Sequence, residues 1–181
     1  VRDLCAGYAR PVVGPVSFVL GDGEVVGLQG PNGSGKSTLL KAVAGLARIH
    51  AGAVIRRPGL TLAVQAQHPV RLREMPFTGH EYLAYAGAVH QAPPPRLAAW
   101  LDRRIDTLSG GQFQLLTTWA QLATATDLVL LDEPTNNLDP EGENLLAQIL
   151  RSEIGRRAVL LVSHERAFVE RACSRVIAVE P

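Results

Sequence analysis

Nine residues, Gly30-Pro31-Asn32-Gly33-Ser34-Gly35-Lys36-Ser37-Thr38, complete the spacing G-x-x-x-x-G-K-[ST], which suits the cradling of phosphate. Glycines let successive backbone N–H groups turn inward around phosphate oxygens without side-chain obstruction. A helix opening after Gly35 adds unpaired N–H groups and the positive end of its dipole. Lys36 can reach the terminal phosphates as a point charge, and the Ser37 hydroxyl can ligate Mg2+. The chain has only two lysines, Lys36 and Lys41, and one stands where the loop requires it. A flexible glycine-rich turn is the bland reading; a strand pattern before the loop and a helix pattern after it weigh against that. The loop reads as a nucleoside triphosphate site.

Two further groups carry chemistry. Asp132-Glu133 close the apolar run Leu128-Val129-Leu130-Leu131. Alone, two acids before Pro134 could mark a surface turn. Beside a phosphate loop, Asp132 can hold Mg2+ through its water shell opposite Ser37, and Glu133 can orient or deprotonate an attacking water. Leu108-Ser109-Gly110-Gly111-Gln112 places a hydroxyl, two glycines and an amide just before a helix pattern, a second anion-binding N-terminus without a lysine. An N-cap serine followed by spacer glycines is its structural alternative. Two phosphate-cradling loops with one carboxylate pair suggest that the second loop caps a nucleotide held by another copy.

The elements that must position these groups read as follows. Val1–Tyr8 and Val16–Leu20 are expected as paired strands around a Pro11, Gly14, Pro15 turn. Gly21-Asp22-Gly23 leads into a strand over Glu24–Leu28. A helix runs from Ser37 to about Leu46, a turn begins at Gly52, and Val54-Ile55 and Leu60–Val64 look like strands. From His68 to about Thr107 the texture turns to Pro, Arg, Ala and Leu, without β-branched runs. This predicts a small inserted helical subdomain. Its helices are expected over Thr78–Val89, packing through Tyr82, Leu83, Tyr85 and Ala86, and over Arg96–Asp102, joined by the rigid connector Pro93-Pro94-Pro95. Beyond it come a helix over Gly111–Ala123 (Leu115, Leu116, Trp119 and Leu122 on one face) and the strand Leu128–Leu131, without alternation. Then follow a helix at Gly142–Leu150, a strand at Ala158–Ser163, a helix at Arg166–Cys173 and a strand at Val176–Val179. Apolar strands alternating with helices predict an α/β fold around a parallel sheet covered on both faces.

Composition bounds the rest. With 181 residues, 46% apolar, the chain can bury one full core but hardly two. Basic and acidic residues number 18 and 17, and the arginine pairs Arg56-Arg57, Arg103-Arg104 and Arg156-Arg157 read as solvated surface. No electrostatic case exists for nucleic acid as a partner. Cys5 and Cys173 lack metal-ligand spacing and suggest a reducing, cytosolic setting. The apolar runs are too short to span a membrane, and no signal peptide precedes Val1. A strand-like start without Met points to a few residues lying ahead of Val1.

In order and spacing, these motifs resemble the ATP-binding cassette (ABC) ATPases over essentially the whole chain: a Walker A loop at Gly30–Thr38, a signature loop at Leu108–Gln112 and a Walker B strand at Leu128–Asp132. The resemblance implies a P-loop NTPase with a RecA-like core, an N-terminal antiparallel β subdomain and a short inserted helical subdomain. It makes 1–181 one domain, with 1–67 and 115–181 as nucleotide-binding core and 68–114 as the helical subdomain carrying the signature loop. It implies Mg2+-dependent ATP hydrolysis between two cassettes facing head to tail, each ATP lying between one Walker A loop and the other's signature. Several positions then acquire implied roles. Tyr8 resembles the aromatic that stacks on adenine, its alternative being a core strand tyrosine. Gln67 resembles the Q-loop glutamine that contacts Mg2+ and the attacking water, with Gln65 as rival. Asn137-Leu138-Asp139 resembles the D-loop that crosses the dimer interface, and His164 the switch histidine at the γ-phosphate. His50, His68, His80 and His90 carry no implied role.

Within the family, Ala66–Leu83 is similar to the ATP-binding subunits of bacterial zinc and manganese uptake systems. Asn136–Asp139 and Ser163–Phe168 are similar instead to ABC-F proteins, which act on ribosomes. One Walker A loop, one signature and no long charged linker favour the transporter branch; DNA-repair relatives carry coiled coils that are absent here. Implied partners are a second ATPase subunit (a homodimer before a heterodimer), an integral membrane permease and a solute-binding protein, with this chain peripheral on the cytoplasmic face of the membrane. The segment between Gln67 and Leu108 is short for the family. Phe113-Gln114-Leu115 stands where many relatives have an arginine after the glutamine.

Overall fold

The computed structural model describes residues 1–65, 67, 76–89, 91–153 and 155–180. Expectations touching Ala66, the opening of the helical insert at 68–75, or His90 lie outside the described residues. Five strands form a parallel sheet: β3 (Val25–Gln29), β5 (Leu62–Gln65), β6 (Leu128–Asp132), β7 (Ala158–Val162) and β8 (Arg175–Ala178), in the order β5-β6-β7-β3-β8. All five residues of β6 and all five of β7 are buried, because both faces are covered. Alternate residues divide between the faces. Leu128, Leu130, Leu160 and Val162 meet Leu39 and Leu40 of helix α1 (Lys36–Ala44) together with Leu4 and Val13. Val129, Leu131, Val159 and Leu161 point the other way. There they meet helices α4 (Gly110–Leu122), α5 (Pro140–Glu153) and α6 (Arg166–Ala172), through Leu115, Leu116, Leu146, Leu150 and Phe168. No described helix is long and apolar enough to cross a membrane.

A second, antiparallel sheet of three strands, ordered β2-β1-β4, lies over the α1 face: β1 (Arg2–Gly7), β2 (Pro11–Val16) and β4 (Arg48–Ala53). Here the expectation is corrected twice. The Pro11, Gly14, Pro15 segment is itself β2, and Val16–Leu20 is not the pairing strand. Proline is tolerated because β2 is an edge, and a Cβ at Gly14, with φ +114°, would stand 2.1 Å from Leu4 O. Residues Arg48–Ala53 form a strand in the stretch between the expected helix end at about Leu46 and the expected turn at Gly52, and Val54-Ile55 form none. Gly52 keeps a turn-like φ of +72° inside β4, against the Arg2 and Asp3 carbonyls.

The insert is shorter in its helices than the pattern predicts. Helix α2 (Gly79–Tyr85) starts at a capping box between Thr78 and Glu81 and ends well before Val89, with Gly87 at φ +70° beyond it. Tyr85, expected in the packing face, is 90% exposed; Leu83 is the buried member, and Tyr82 leans on Phe113 with ring centroids 6.4 Å apart. Helix α3 (Pro95–Ala98) spans one turn rather than Arg96–Asp102. Leu83, Leu97, Leu101 and Ile105 belong to the same apolar cluster as the buried face of α4, so the insert packs on the main core and not around one of its own.

Candidate functional site

The phosphate loop joins β3 to α1. Space at Gly30 and Gly35 is what allows the loop to sit down: a Cβ at Gly30 would lie 2.1 Å from Val179 O, and one at Gly35, at φ +87°, 2.6 Å from Val13 Cβ. Gly35 caps α1 without a side-chain hydrogen bond, which leaves the first-turn amides to an anion. Lys36 donates to Gly30 O and Pro31 O, both at 2.8 Å, so the ammonium is held in the loop by its own carbonyls. Ser34 is buried with an unpartnered hydroxyl oxygen, and Asn32, Gly33, Ser37 and Thr38 face the crevice described below.

The carboxylates arrive from the end of β6. Asp132 is 1% exposed and accepts from Ser37 Oγ at 2.8 Å through Oδ1. Its Oδ2 is buried without a partner. Leaving a buried carboxylate oxygen unsatisfied costs on the order of 1–3 kcal/mol or more, so this pair of oxygens fits a cation brought in beside Ser37. Glu133 follows with φ +51°, a conformation that costs a non-glycine residue about 1–3 kcal/mol. Several contacts hold it there, among them the Asn136 N–H, which donates to its carbonyl at 3.2 Å. The Glu133 N–H donates to Val162 O at 2.9 Å, Gln114 Nε2 donates to the Glu133 carbonyl at 3.4 Å, and Oε2 accepts from the His164 N–H at 3.3 Å. His164 Nδ1 lies 2.9 Å from the same Oε2.

One open crevice of about 530 Å3 is lined by Asn32, Gly33 and Gly35–Thr38 of the loop together with Val12, Gln67, Glu133, Asn136 and His164, with Asp132 behind Ser37. Gln67 and Gln65 part company here. Gln65 is buried and donates to Thr117 Oγ1 at 3.2 Å, whereas Gln67 lines the crevice. Tyr8 lies in the β1–β2 turn, 55% exposed; it is no core tyrosine, and the crevice lining does not include it. Val12, Asn136 and Gln114 are contributors that sequence reasoning did not pick out as site residues. Asn136 follows closely on the acidic pair, and that adjacency was the available signal. Gln114 acts on backbone carbonyls, which no side-chain pattern announces.

The second loop stands apart. Ser109 caps α4, accepting from Gln112 N at 3.2 Å while its own N–H donates to Gln112 Oε1 at 2.9 Å. Leu108 is buried beneath it, and Ser109 and Gly110 are exposed. Gly111 and Gln112 share a smaller cavity of about 170 Å3 with Asn137, Leu138 and Asp139. None of its lining residues belongs to the phosphate-loop crevice. A Cβ at Gly111 would come within 2.5 Å of Asn137 O, so the second loop and the 137–139 turn touch backbone to backbone.

Residues 13–136 match the sequence model of the ABC transporter family. The chain is 38% identical over 178 residues to the zinc import ATP-binding protein ZnuC of Cereibacter sphaeroides, covering 92% of this chain and 72% of that protein. It is 38% identical over 179 residues to the zinc import ATP-binding protein ZnuC of Paracoccus denitrificans, covering 92% and 69%. Among solved structures, an ATP binding subunit of an ABC transporter superposes with a TM-score of 0.82 at 27% identity, over 99% of this chain and 85% of that one.

Proposed function

The chain belongs to the ABC transporter ATPase family, and on that premise we propose that it powers import of a metal ion, zinc before others, by closing as a dimer around two ATP molecules. The observation that carries the hydrolytic part is that Lys36, Ser37, Glu133 and His164 line one crevice, with Asp132 bonded to Ser37 behind it and Glu133 bonded to His164. The metal enters through the relatives, two of which, at 38% identity, are named for zinc import. The same names favour transport over the ribosome-acting alternative.

Each residue has a task in this reading. The amides of 33–38 and Lys36 receive the β- and γ-phosphates, with charge-assisted bonds contributing about 1.5–3 kcal/mol each. Ser37, Asp132 and Gln67 would hold Mg2+, which supplies charge neutralisation to the phosphates when bound. Glu133 takes the proton of the attacking water or orients it, and its fixed backbone keeps Oε2 aimed into the crevice. His164, free to exchange Glu133 for a phosphate oxygen, reports the γ-phosphate. Tyr8 stacks on the base from the β1–β2 turn. Leu108–Gln112 and Asn137–Asp139 act on the nucleotide of the second copy, since one chain keeps the two crevices separate. A permease in the membrane receives the motion, a solute-binding protein delivers the ion, and this subunit works on the cytoplasmic face.

The test is Glu133→Gln. ATP binding should persist within about threefold while turnover falls by about a hundredfold or more, and ATP-loaded dimer should accumulate on a sizing column. Turnover near that of the parent would remove Glu133 from the base role.

A further inference from the structure

One side chain of the helical insert reaches out of it. Arg96, on the single-turn helix α3, places Nη2 3.0 Å from Asp139 Oδ2 and Nη1 2.9 Å from Glu141 Oε2, with its guanidinium carbon 6.0 Å from the Trp100 ring centroid. The guanidinium is thus fixed on three sides, by the turn before α5, by the first turn of α5 and by an aromatic of its own segment. An isolated exposed ion pair adds little to folding stability, and both carboxylates here are well exposed. Asp139 does not need the arginine to hold its own conformation, because its Oδ1 already accepts from the Gly142 N–H at 2.6 Å. What Arg96 sets is a distance, that between the insert and the 137–139 turn.

That distance matters because of what lies at its two ends. Arg96 and Trp100 line the same small cavity as Ser109, Gln112 and Asn137. On one side of the cavity Gly111 abuts the Asn137 carbonyl directly. On the other, Arg96 bridges to Asp139 and Glu141. Leu97, next to the arginine, is fully buried in the main core, so the strut stands on a firm base. A planar two-pronged cation can hold two carboxylates in a fixed relation, which a lysine cannot do.

We propose that Arg96 is a positioning residue. It fixes the Asn137–Asp139 turn against the Ser109–Gln112 loop, so that both present one continuous surface to the nucleotide held by a second copy. This rests on the two-copy reading given above.

The test uses a Glu133→Gln parent, whose ATP-dependent dimerisation is followed by sedimentation at saturating Mg-ATP. Nucleotide affinity of dilute monomer is measured with a fluorescent ATP analogue, and melting temperature is recorded alongside. Arg96→Glu should weaken the dimer by about tenfold, with monomer nucleotide affinity within about twofold of the parent. Arg96→Gln, which retains a stem over Trp100, should show the loss with an unchanged melting temperature. Arg96→Lys, which keeps the charge but not the two-pronged fork, should also lose dimer affinity, though less than Arg96→Glu, at an unchanged melting temperature. Dimer affinity equal to the parent's in Arg96→Gln or in Arg96→Lys overturns the strut alone, as does a parallel loss of monomer nucleotide binding. A parent that forms no ATP-dependent dimer overturns the two-copy reading and the strut with it.

Discussion

The lysine of the phosphate loop shows how much of a site can be assembled before its ligand arrives. Lys36 is nearly buried, and its ammonium is satisfied by Gly30 O and Pro31 O, so phosphate replaces partners already in place and no side chain has to be ordered. Lys36→Met deletes the charge and keeps the stem. ATP affinity measured by calorimetry should fall by about a hundredfold, equivalent to one or two charge-assisted bonds. A loss below about threefold would show that the loop amides alone carry the phosphates. Such residues were legible because chemistry forces their spacing: glycines, lysine and hydroxyl must adjoin to wrap a phosphate. Gln67 was preferred over its rival Gln65, and it is Gln67 that lines the crevice while Gln65 is buried. Gln114 was not legible at all, since its amide bonds to the Glu133 and Pro134 carbonyls, and backbone acceptors leave no mark on a sequence.

At the scale of elements, the parallel sheet was readable throughout; of the antiparallel one, expected as an N-terminal β subdomain, β1 was readable and β2 and β4 were not. Leu128–Leu131 and Ala158–Val162 are continuous apolar runs, the pattern that burial on both faces demands. The β4 run Arg-Ile-His-Ala-Gly-Ala is exposed along much of its length and reads as no strand; its backbone pairing with β1 holds it in place. Likewise β2 contains two prolines and a glycine that only an edge position tolerates. The sheet's edge strand β5 has a pin of a different kind. Asp127, just before β6, accepts from the Thr61 N–H at 2.9 Å and the Thr61 hydroxyl at 2.8 Å, and pairs with Arg57. The Thr61 amide, then its hydroxyl and the Arg57 charge hold the Asp127 carboxyl below the usual carboxylate range. A depressed carboxylate adds stability that is present above its unfolded pKa and is lost as pH falls through its folded one. Asp127→Asn should therefore melt a few degrees below wild type at pH 7. Thermal scans at decreasing pH should show the gap closing as the wild-type carboxylate protonates. A gap constant down to pH 2 would assign the effect to lost geometry instead of charge.

For the molecule as a whole, the decisive fact is that the Gly30–Thr38 loop and the Leu108–Gln112 loop open into crevices with no lining residue in common. A ligand that binds only the folded chain raises stability by about 2.7 kcal/mol at a hundred times its dissociation constant, which for a chain of this size is a melting shift of roughly 5–10 °C. If one chain bound ATP completely, that shift would not depend on protein concentration. If the nucleotide is shared between copies, a further increment appears that grows with concentration, because association is then linked to binding. In the Glu133→Gln parent with Mg-ATP, the melting temperature should rise with protein concentration over a tenfold range, while the ATP-free protein shows no such rise. Ser109→Arg puts a bulky side chain on the exposed second loop, which does not line the chain's own phosphate crevice. It should abolish the concentration-dependent increment and ATP turnover while leaving the concentration-independent shift intact. If Ser109→Arg removed the whole shift, the second loop would be acting on its own chain's nucleotide; if it removed none, the loop would have no part in the closed state.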